Sequence, residues 1–316
     1  MTKIKYDRHE EEWQKCLTDE TRHKVGLTWL KDGDTLNNWR ENRKYDLLQP
    51  IIDSNKEYSW LTVGDGRYGT DAHKIIQMGS KKVLCTDISD TLLKIGYKKK
   101  FITNYSAENA EKLSLNDDQF DFVFCKEAYH HFPRPHIALH EMLRVCKIGT
   151  IIIEPRDHKI DKGPFSFVHM LIKRFLSLNT FLSKLYTNNV FSNWSIDKHH
   201  HYFETVGNYL FSISEREIEK IQLGMHRQYV AFKGINDSYQ EGSAFIEMST
   251  SIKSEKKKII KTKMFIKLKN LLCRLGIMRS GLLASILFKS KPSTELLDLL
   301  KKNKWKVKIL PKNPYL

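Results

Sequence analysis

A cluster of glycines and a carboxylate downstream of it carry the first chemical signal of this 316-residue chain. In WLTVGDGRYGTDA, Trp60 to Ala72, a strand-like apolar run leads straight into Gly64, Gly66 and Gly69, and a helical pattern follows. Glycines let a backbone turn tightly and approach a ligand closely, and the helix start behind them offers free N–H groups. About 20 residues further on, KVLCTD ends in Asp87, placed to take both ribose hydroxyls of an adenosine cofactor. This spacing fits a nicotinamide dinucleotide and a sulfonium nucleoside equally well. A second cluster, Glu127, Tyr129, His130 and His131, follows the apolar run Phe120 to Cys125. Such positions lie at the carboxyl edge of an open α/β sheet, where ligands bind, and a neutral imidazole near pH 7 suits a general base.

These residues need a sheet to hold them. From Tyr58, apolar runs alternate with amphipathic stretches: Trp60 to Val63, Lys82 to Thr86, Phe120 to Cys125 and Thr150 to Ile153 read as buried strands of a parallel α/β sheet. The expected organisation is a helical cover over 1–57, the α/β core over 58–155 and a helical acceptor-site insertion over 156–211. A return to the core follows over 212–237 with helix and sixth strand, then a basic amphipathic helical insertion over 238–295, and a last helix and seventh strand over 296–316. Ser212 and Ser214 are good helix caps, and Tyr229 to Lys233 and Trp305 to Leu310 read as the antiparallel strands of the edge.

The stretch Tyr105 to Pro155, with its FD…HHF…EMLRV…G pattern, resembles the class I S-adenosylmethionine-dependent methyltransferases of the type 11 kind. The resemblance covers roughly Trp39 to Pro155 and resumes weakly over Gly207 to Asp237. With WRENRKYDLLQP, GNYLFSISEREIEK and VAFKGIND, the chain is similar to the methyltransferases associated with bacterial surface-polysaccharide synthesis.

The resemblance implies a Rossmann-like fold with a seven-stranded, mostly parallel sheet and helical insertions, and S-adenosyl-L-methionine as cofactor. It places Gly64, Asp65, Gly66 and Gly69 along the methionine and ribose side, Asp87 at the ribose hydroxyls, Asn109 and Ala110 at the adenine edge, and Lys126 and Glu127 beside the sulfonium. Trp39, Arg40 and Arg43 resemble the family's N-terminal cover, with Arg43 able to hold the cofactor carboxylate or to be an exposed helical arginine. The chain departs from the pattern in two places. Thr62 stands where the family carries an acid two residues before its first glycine, and Asn109 replaces the adenine-contacting acid. Positioning of donor and acceptor supplies about 7 to 11 kcal/mol of the barrier to methyl transfer, but a sugar hydroxyl also needs a base. Glu127, Tyr129, His130 and His131 are the catalytic candidates. Either histidine alone could instead cap the helix starting near Pro135 or pack beneath the cofactor.

Charge is distributed unevenly. Residues 1–154 hold 24 Lys/Arg and 24 Asp/Glu, whereas 155–316 hold 29 and 13, so the whole +16 excess sits in the second half. From Lys253 to Lys291 twelve bases meet one acid, Glu255. Ile260, Met264, Leu268, Leu271, Leu272 and Leu275 recur there at helical spacing, with Lys263, Lys267 and Arg274 on the opposite face. Such a helix can lie on an anionic membrane, each nearby base contributing about 1 kcal/mol, or pack its apolar face on the domain. Nucleic acid is the weaker partner, since neither an RNP-like aromatic motif nor a base-methylating [DN]PP[YF] signature occurs.

No apolar run approaches the length of a membrane span, no signal core opens the chain, and Cys16, Cys85, Cys125, Cys146 and Cys273 show no paired spacing. A cytoplasmic protein, peripheral on the inner face of the membrane in one reading, is expected. His136 and His140 are four apart and His199 to His201 form a run, but neither has the HExxH arrangement, and no metal is expected. Tyr202, Glu204, Asn208 and Tyr209 could join an acceptor pocket. The expected function is O-methylation of a sugar in a surface polysaccharide or its lipid- or nucleotide-linked precursor. The alternatives are a methyltransferase for RNA or another small molecule, a nicotinamide-dependent oxidoreductase, and a non-catalytic adenosine-binding membrane adaptor.

Overall fold

A computed structural model describes residues 6–177 and 211–312. Four helices open the chain: α1 (Asp7–Thr18), α2 (Glu20–Trp29), α3 (Leu36–Tyr45) and α4 (Gln49–Ser54). Side-chain oxygens of Asp19 and Thr35 cap α2 and α3 by accepting from the backbone N–H of Arg22 and Asn38. The α/β core follows as β1 (Ser59–Val63), α5 (Thr70–Gln77), β2 (Lys82–Asp87), α6 (Thr91–Lys98), β3 (Tyr105–Ala107), β4 (Phe120–Lys126), α7 (Pro135–Val145) and β5 (Cys146–Pro155). The chain then forms α8 (Ser166–Ser177), α9 (Glu215–Gly224), β6 (Tyr229–Ile235), α10 (Lys253–Arg274), β7 (Leu282–Phe288), α11 (Thr294–Lys302) and β8 (Lys306–Ile309).

The strands form one eight-stranded sheet in the order β3-β2-β1-β4-β5-β7-β6-β8. The first five strands are parallel, and β7 runs antiparallel between β5 and β6. Strands buried on both faces read as continuous apolar runs because successive side chains alternate between two packed layers. Trp60, Phe122 and Ile151 thus join the layer under α4, α5 and α11, while Leu61, Val123 and Ile152 join the one under α7 and α9.

The seven-stranded expectation needs one correction. The segment 238–295, expected as a helical insertion, also supplies β7, every residue of which is buried. Its LLASILF sequence is a short apolar run broken only by Ser285, and periodicity does not distinguish such a run from a helix. With β7 in place β6 points the same way as β5, so its carboxyl end joins the edge where β1, β2 and β4 end. No helix among the described residues is long and apolar enough to cross a membrane.

Candidate active site

The turn after β1 is shaped by close contacts. Gly64 and Gly69 have φ of +75° and +80°, and a Cβ on Gly64 would lie 2.5 Å from that of Ala128. On Gly66 it would strike the indole of Trp13 at 2.5 Å. Asp65 turns its carboxylate inward, accepting from the backbone N–H of Asp71 (2.9 Å) and Ala72 (2.8 Å) and from the Thr62 hydroxyl (2.9 Å). It lines the loop, but its side chain is committed to holding the start of α5 rather than to a ligand. Burial, together with the neighbouring Asp71 carboxylate, pushes the Asp65 carboxyl up to about 8.

A cavity of about 370 Å³ opens beside this loop along the ends of β1, β2 and β4. Asp87 reaches it from β2, with Oδ1 accepting from the Ser89 N–H (3.0 Å) and from Trp13 Nε1 (3.2 Å). Ile88, Asn109, Ala110 and Phe132 line it further along. Asn109 Oδ1 accepts from the Glu111 N–H at 2.9 Å, which fixes that turn. Glu108, absent from the sequence expectations, lines the same wall while holding Ser114.

Opposite charges crowd the other wall. Lys44 is buried and pairs with Glu127 and, at 2.8 Å, with Glu41. Lys126 lies 3.4 Å from both Glu41 and Asp71. Burial opposes ionisation of Glu127, but the Lys44 ammonium holds its carboxyl below the usual range. The same contest leaves Lys44 raised, with Glu127 and Glu41 outweighing its burial. Glu127 also sits at φ +51°, a left-handed conformation that costs a non-glycine residue of order 1–3 kcal/mol and tends to persist at functional sites. Behind this cluster Arg40 Nε donates to Asp237 at 2.8 Å. Sequence reading missed Glu41, Lys44, Asp71 and Asp237 as partners, since their pairing is visible only once distant segments meet.

The two histidines separate in role. His131 lines the cavity, whereas His130 is buried with Nδ1 against the Glu154 carboxylate. A carboxylate only accepts, so Nδ1 carries the proton. Glu154 is fully buried, and its Oε1 accepts from the N–H groups of Ala128 (3.0 Å) and Tyr129 (2.9 Å). The imidazoles of His130 and His131 lie 4.4 Å apart at 36°.

Tyr129, a catalytic candidate from sequence, does not line the cavity. It is buried, its hydroxyl lies 3.4 Å from His136 Nδ1, and burial holds it firmly as a phenol. Arg43 is likewise corrected. Its Nη1 donates to the Asn236 carbonyl at 3.0 Å and its guanidinium lies over Trp39, away from the cavity. His136 and His140 are exposed, and among the described residues no group of three His, Cys, Asp or Glu is placed to hold a metal. His199 to His201, Tyr202, Glu204, Asn208 and Tyr209 lie outside the described residues.

Of the three glycines expected at the cofactor only Gly64 lines the cavity, since Gly66 lies under the Trp13 indole and Gly69 against Ile102. Gly64, the acid Asp87 at the end of β2 and the apolar Ile88, Ala110 and Phe132 fit an adenosyl sulfonium. Residues 61–153 match the methyltransferase-domain family. The chain carries a class I S-adenosylmethionine-dependent methyltransferase domain. S-adenosyl-L-methionine is the cofactor that such a domain takes.

No curated protein matches the methyltransferase in sequence. Among solved structures it is similar to the YcgJ protein of Bacillus subtilis, with 17% identity over 79% of this chain and 100% of that one, at a TM-score of 0.43. Magnesium protoporphyrin IX methyltransferase of Synechocystis PCC 6803 matches with 11% identity over 87% and 99%, at 0.45. The [4+2]-cyclase SpnF matches with 22% identity over 39% of this chain, at 0.33, and the chain spans 49% of its length.

Proposed function

We propose that the methyltransferase transfers a methyl group to a hydroxyl of a sugar in a bacterial surface polysaccharide or its lipid- or nucleotide-linked precursor, with His131 as general base. The observation that carries the hydroxyl reading is the placement of His131 on the cavity wall, in ring contact with the buried His130–Glu154 pair. The sugar reading rests on the resemblance of Trp39 to Pro155 and Gly207 to Asp237 to the polysaccharide-associated branch.

The bound cofactor supplies a methyl carbon made electrophilic by its sulfonium. Asp87 and the turn at Gly64 would hold its adenosine side. Asn109 and Ala110, which line the same cavity, would border its adenine edge. His131 accepts the hydroxyl proton as the oxygen becomes nucleophilic. His130 and Glu154 act as positioning residues: the carboxylate fixes the His130 tautomer and gives His131 a negative neighbour one ring away. Glu127 and Lys126, locked by Lys44 and Asp71, shape the wall facing the acceptor.

Methyl transfer from labelled S-adenosylmethionine to a panel of nucleotide-linked and lipid-linked sugars tests this reading. An O-methylated sugar, lost in His131→Ala with S-adenosylhomocysteine binding intact, is the expected result. Methylation of RNA or of a nitrogen acceptor in place of any sugar would overturn it.

A further inference from the structure

We propose that α10, together with the start of α8, is a docking surface for an anionic lipid bilayer. The inference is independent of which acceptor the methyltransferase uses. It begins with a reversal of the expected packing. The face of α10 that meets the domain carries Ile259, Thr262 and Ile266, all buried, with Ile259 against Leu36 and Trp39 of α3. Lys269 Nζ donates to the Asp237 carbonyl at 2.7 Å and fixes the same side.

The apolar residues that recur at helical spacing therefore point outward. Ile260, Met264, Leu268, Leu271 and Leu275 are each half or more exposed, and at 100° per residue they form one stripe opposite the buried face. Lys256, Lys263, Lys267 and Arg274 border the stripe on one side and Lys261 on the other, all of them exposed. Beyond Leu275 the stripe continues onto α8. The Phe165 N–H donates to the Gly276 carbonyl at 3.0 Å, and Phe165, Phe167, Met170 and Leu171 are each more than half exposed.

Two features select a bilayer over a protein. Lysine is depleted at protein interfaces, where arginine and aromatic residues are enriched, yet four of the five bordering cations are lysines. A bilayer suits them, since lysine stems lie along apolar surface while their ammonium groups reach lipid phosphates. The positive rim also runs on into a second cavity of about 390 Å³, where Arg274, Arg279, Lys233 and Lys304 lie beside Arg156 and Lys306, both of which pair with Glu215 on the same wall. Arg156 is 3% exposed there; its Nη1 pairs with Asp161 at 2.7 Å and Glu215 at 3.1 Å, while its Nε has no hydrogen-bond partner. Phosphate is the chemistry these groups match. Because α10 packs on α3, and Asn37, Asn38 and Glu41 of α3 line the cofactor cavity, docking through the outer stripe would place the cavity behind α10, one helix away from the bilayer.

Co-sedimentation of the full chain with unilamellar vesicles tests the assignment. Vesicles of equal parts phosphatidylglycerol and phosphatidylcholine are expected to bind at least tenfold more tightly than phosphatidylcholine alone, and added salt weakens that binding. Leu268→Glu/Leu271→Glu is expected to reduce binding at least tenfold while leaving the melting temperature and S-adenosylhomocysteine affinity unchanged. Lys263→Glu/Lys267→Glu serves as a second, independent variant should the first fold poorly. Failure of the wild-type chain to bind phosphatidylglycerol vesicles overturns the proposal, as does undiminished binding by both variants. Self-association of wild type that the leucine variant abolishes, without vesicle binding, assigns the stripe to a second copy instead.

Discussion

The indole of Trp13 lies against Gly66 and donates its Nε1 hydrogen to Asp87, so a side chain from the first helix stands between the glycine turn and the acid at the end of β2. In the proposed mode the ribose hydroxyls take that same carboxylate, and the indole must give way. Trp13→Phe is expected to bind S-adenosylhomocysteine a few-fold more tightly, because a ligand no longer competes with the indole hydrogen bond. Calorimetric titration measures the affinity. Tryptophan emission should shift on titration of the wild type and shift less in the variant, whereas equal shifts would show that Trp13 stays in place.

The pairing of His130 with Glu154 predicts a catalytic effect distinct from a folding one. Glu154→Gln keeps an oxygen for the N–H groups of Ala128 and Tyr129 but turns an amide toward His130 and disturbs its tautomer. kcat is expected to fall about 100-fold, the scale of a general-base contribution, with KM for the cofactor unchanged. His131→Ala should lose at least as much. Steady-state kinetics beside a melting curve checks this, and loss of stability with kcat preserved would make the pair merely structural.

Acid sensitivity follows from the cation-rich wall. Burial opposes it, but Lys44 keeps Glu127 below its ordinary 4.5, and Arg40 and Lys44 keep Asp237 below its ordinary 3.8. At a second site Lys74 and His73 hold Asp32 at about 2 despite partial burial. The unfolded chain takes up protons at the ordinary values and the folded chain only below them. The stability that these three carboxylates contribute is complete above about pH 5 and is lost as pH falls through their folded values. Asp65, raised to about 8, acts in the opposite sense, because the folded chain keeps a proton that the unfolded chain gives up. Thermal melting from pH 7 to pH 2 should therefore rise first and then decline below about pH 4, and a profile without that decline would contradict the pairing.

Backbone packing gives a prediction far from any charge. A Cβ on Gly96 of α6 would lie 2.2 Å from the Tyr68 carbonyl oxygen, where no flexible side chain can yield. Gly96→Ala is expected to destabilise the protein by about 1–3 kcal/mol, the usual range for overpacking. Urea denaturation should show a lower midpoint with an unchanged slope.

The parts of the site legible in the sequence were those written in short local patterns: the glycine turn with Asp87 about 20 residues on, and separately the strand that presents Glu127 and the histidines. Glu154 carried a signal that went unused, a lone carboxylate closing the apolar run Thr150 to Ile153. Arg40 and Asp237 are 197 residues apart, and Lys44 and Glu127 are 83 apart, so local pattern could not join them. The same limit explains Arg43: a helical arginine has no readable direction until α3 is seated. α10 misled for a different reason. It has two apolar faces, and pattern alone could not show which one the domain would cover.

The position of β7 sets the order in which the protein can be completed on the ribosome. Gly149 of β5 pairs with Phe288, and until that late segment emerges β5 remains a bare sheet edge. Nascent chains that stop within the basic segment expose this edge, and unpaired edges recruit other chains. Truncations that remove residues 282–288 are therefore poor routes to a minimal enzyme. A shortened form that keeps the sheet closed must retain both the helix that faces outward and the strand behind it.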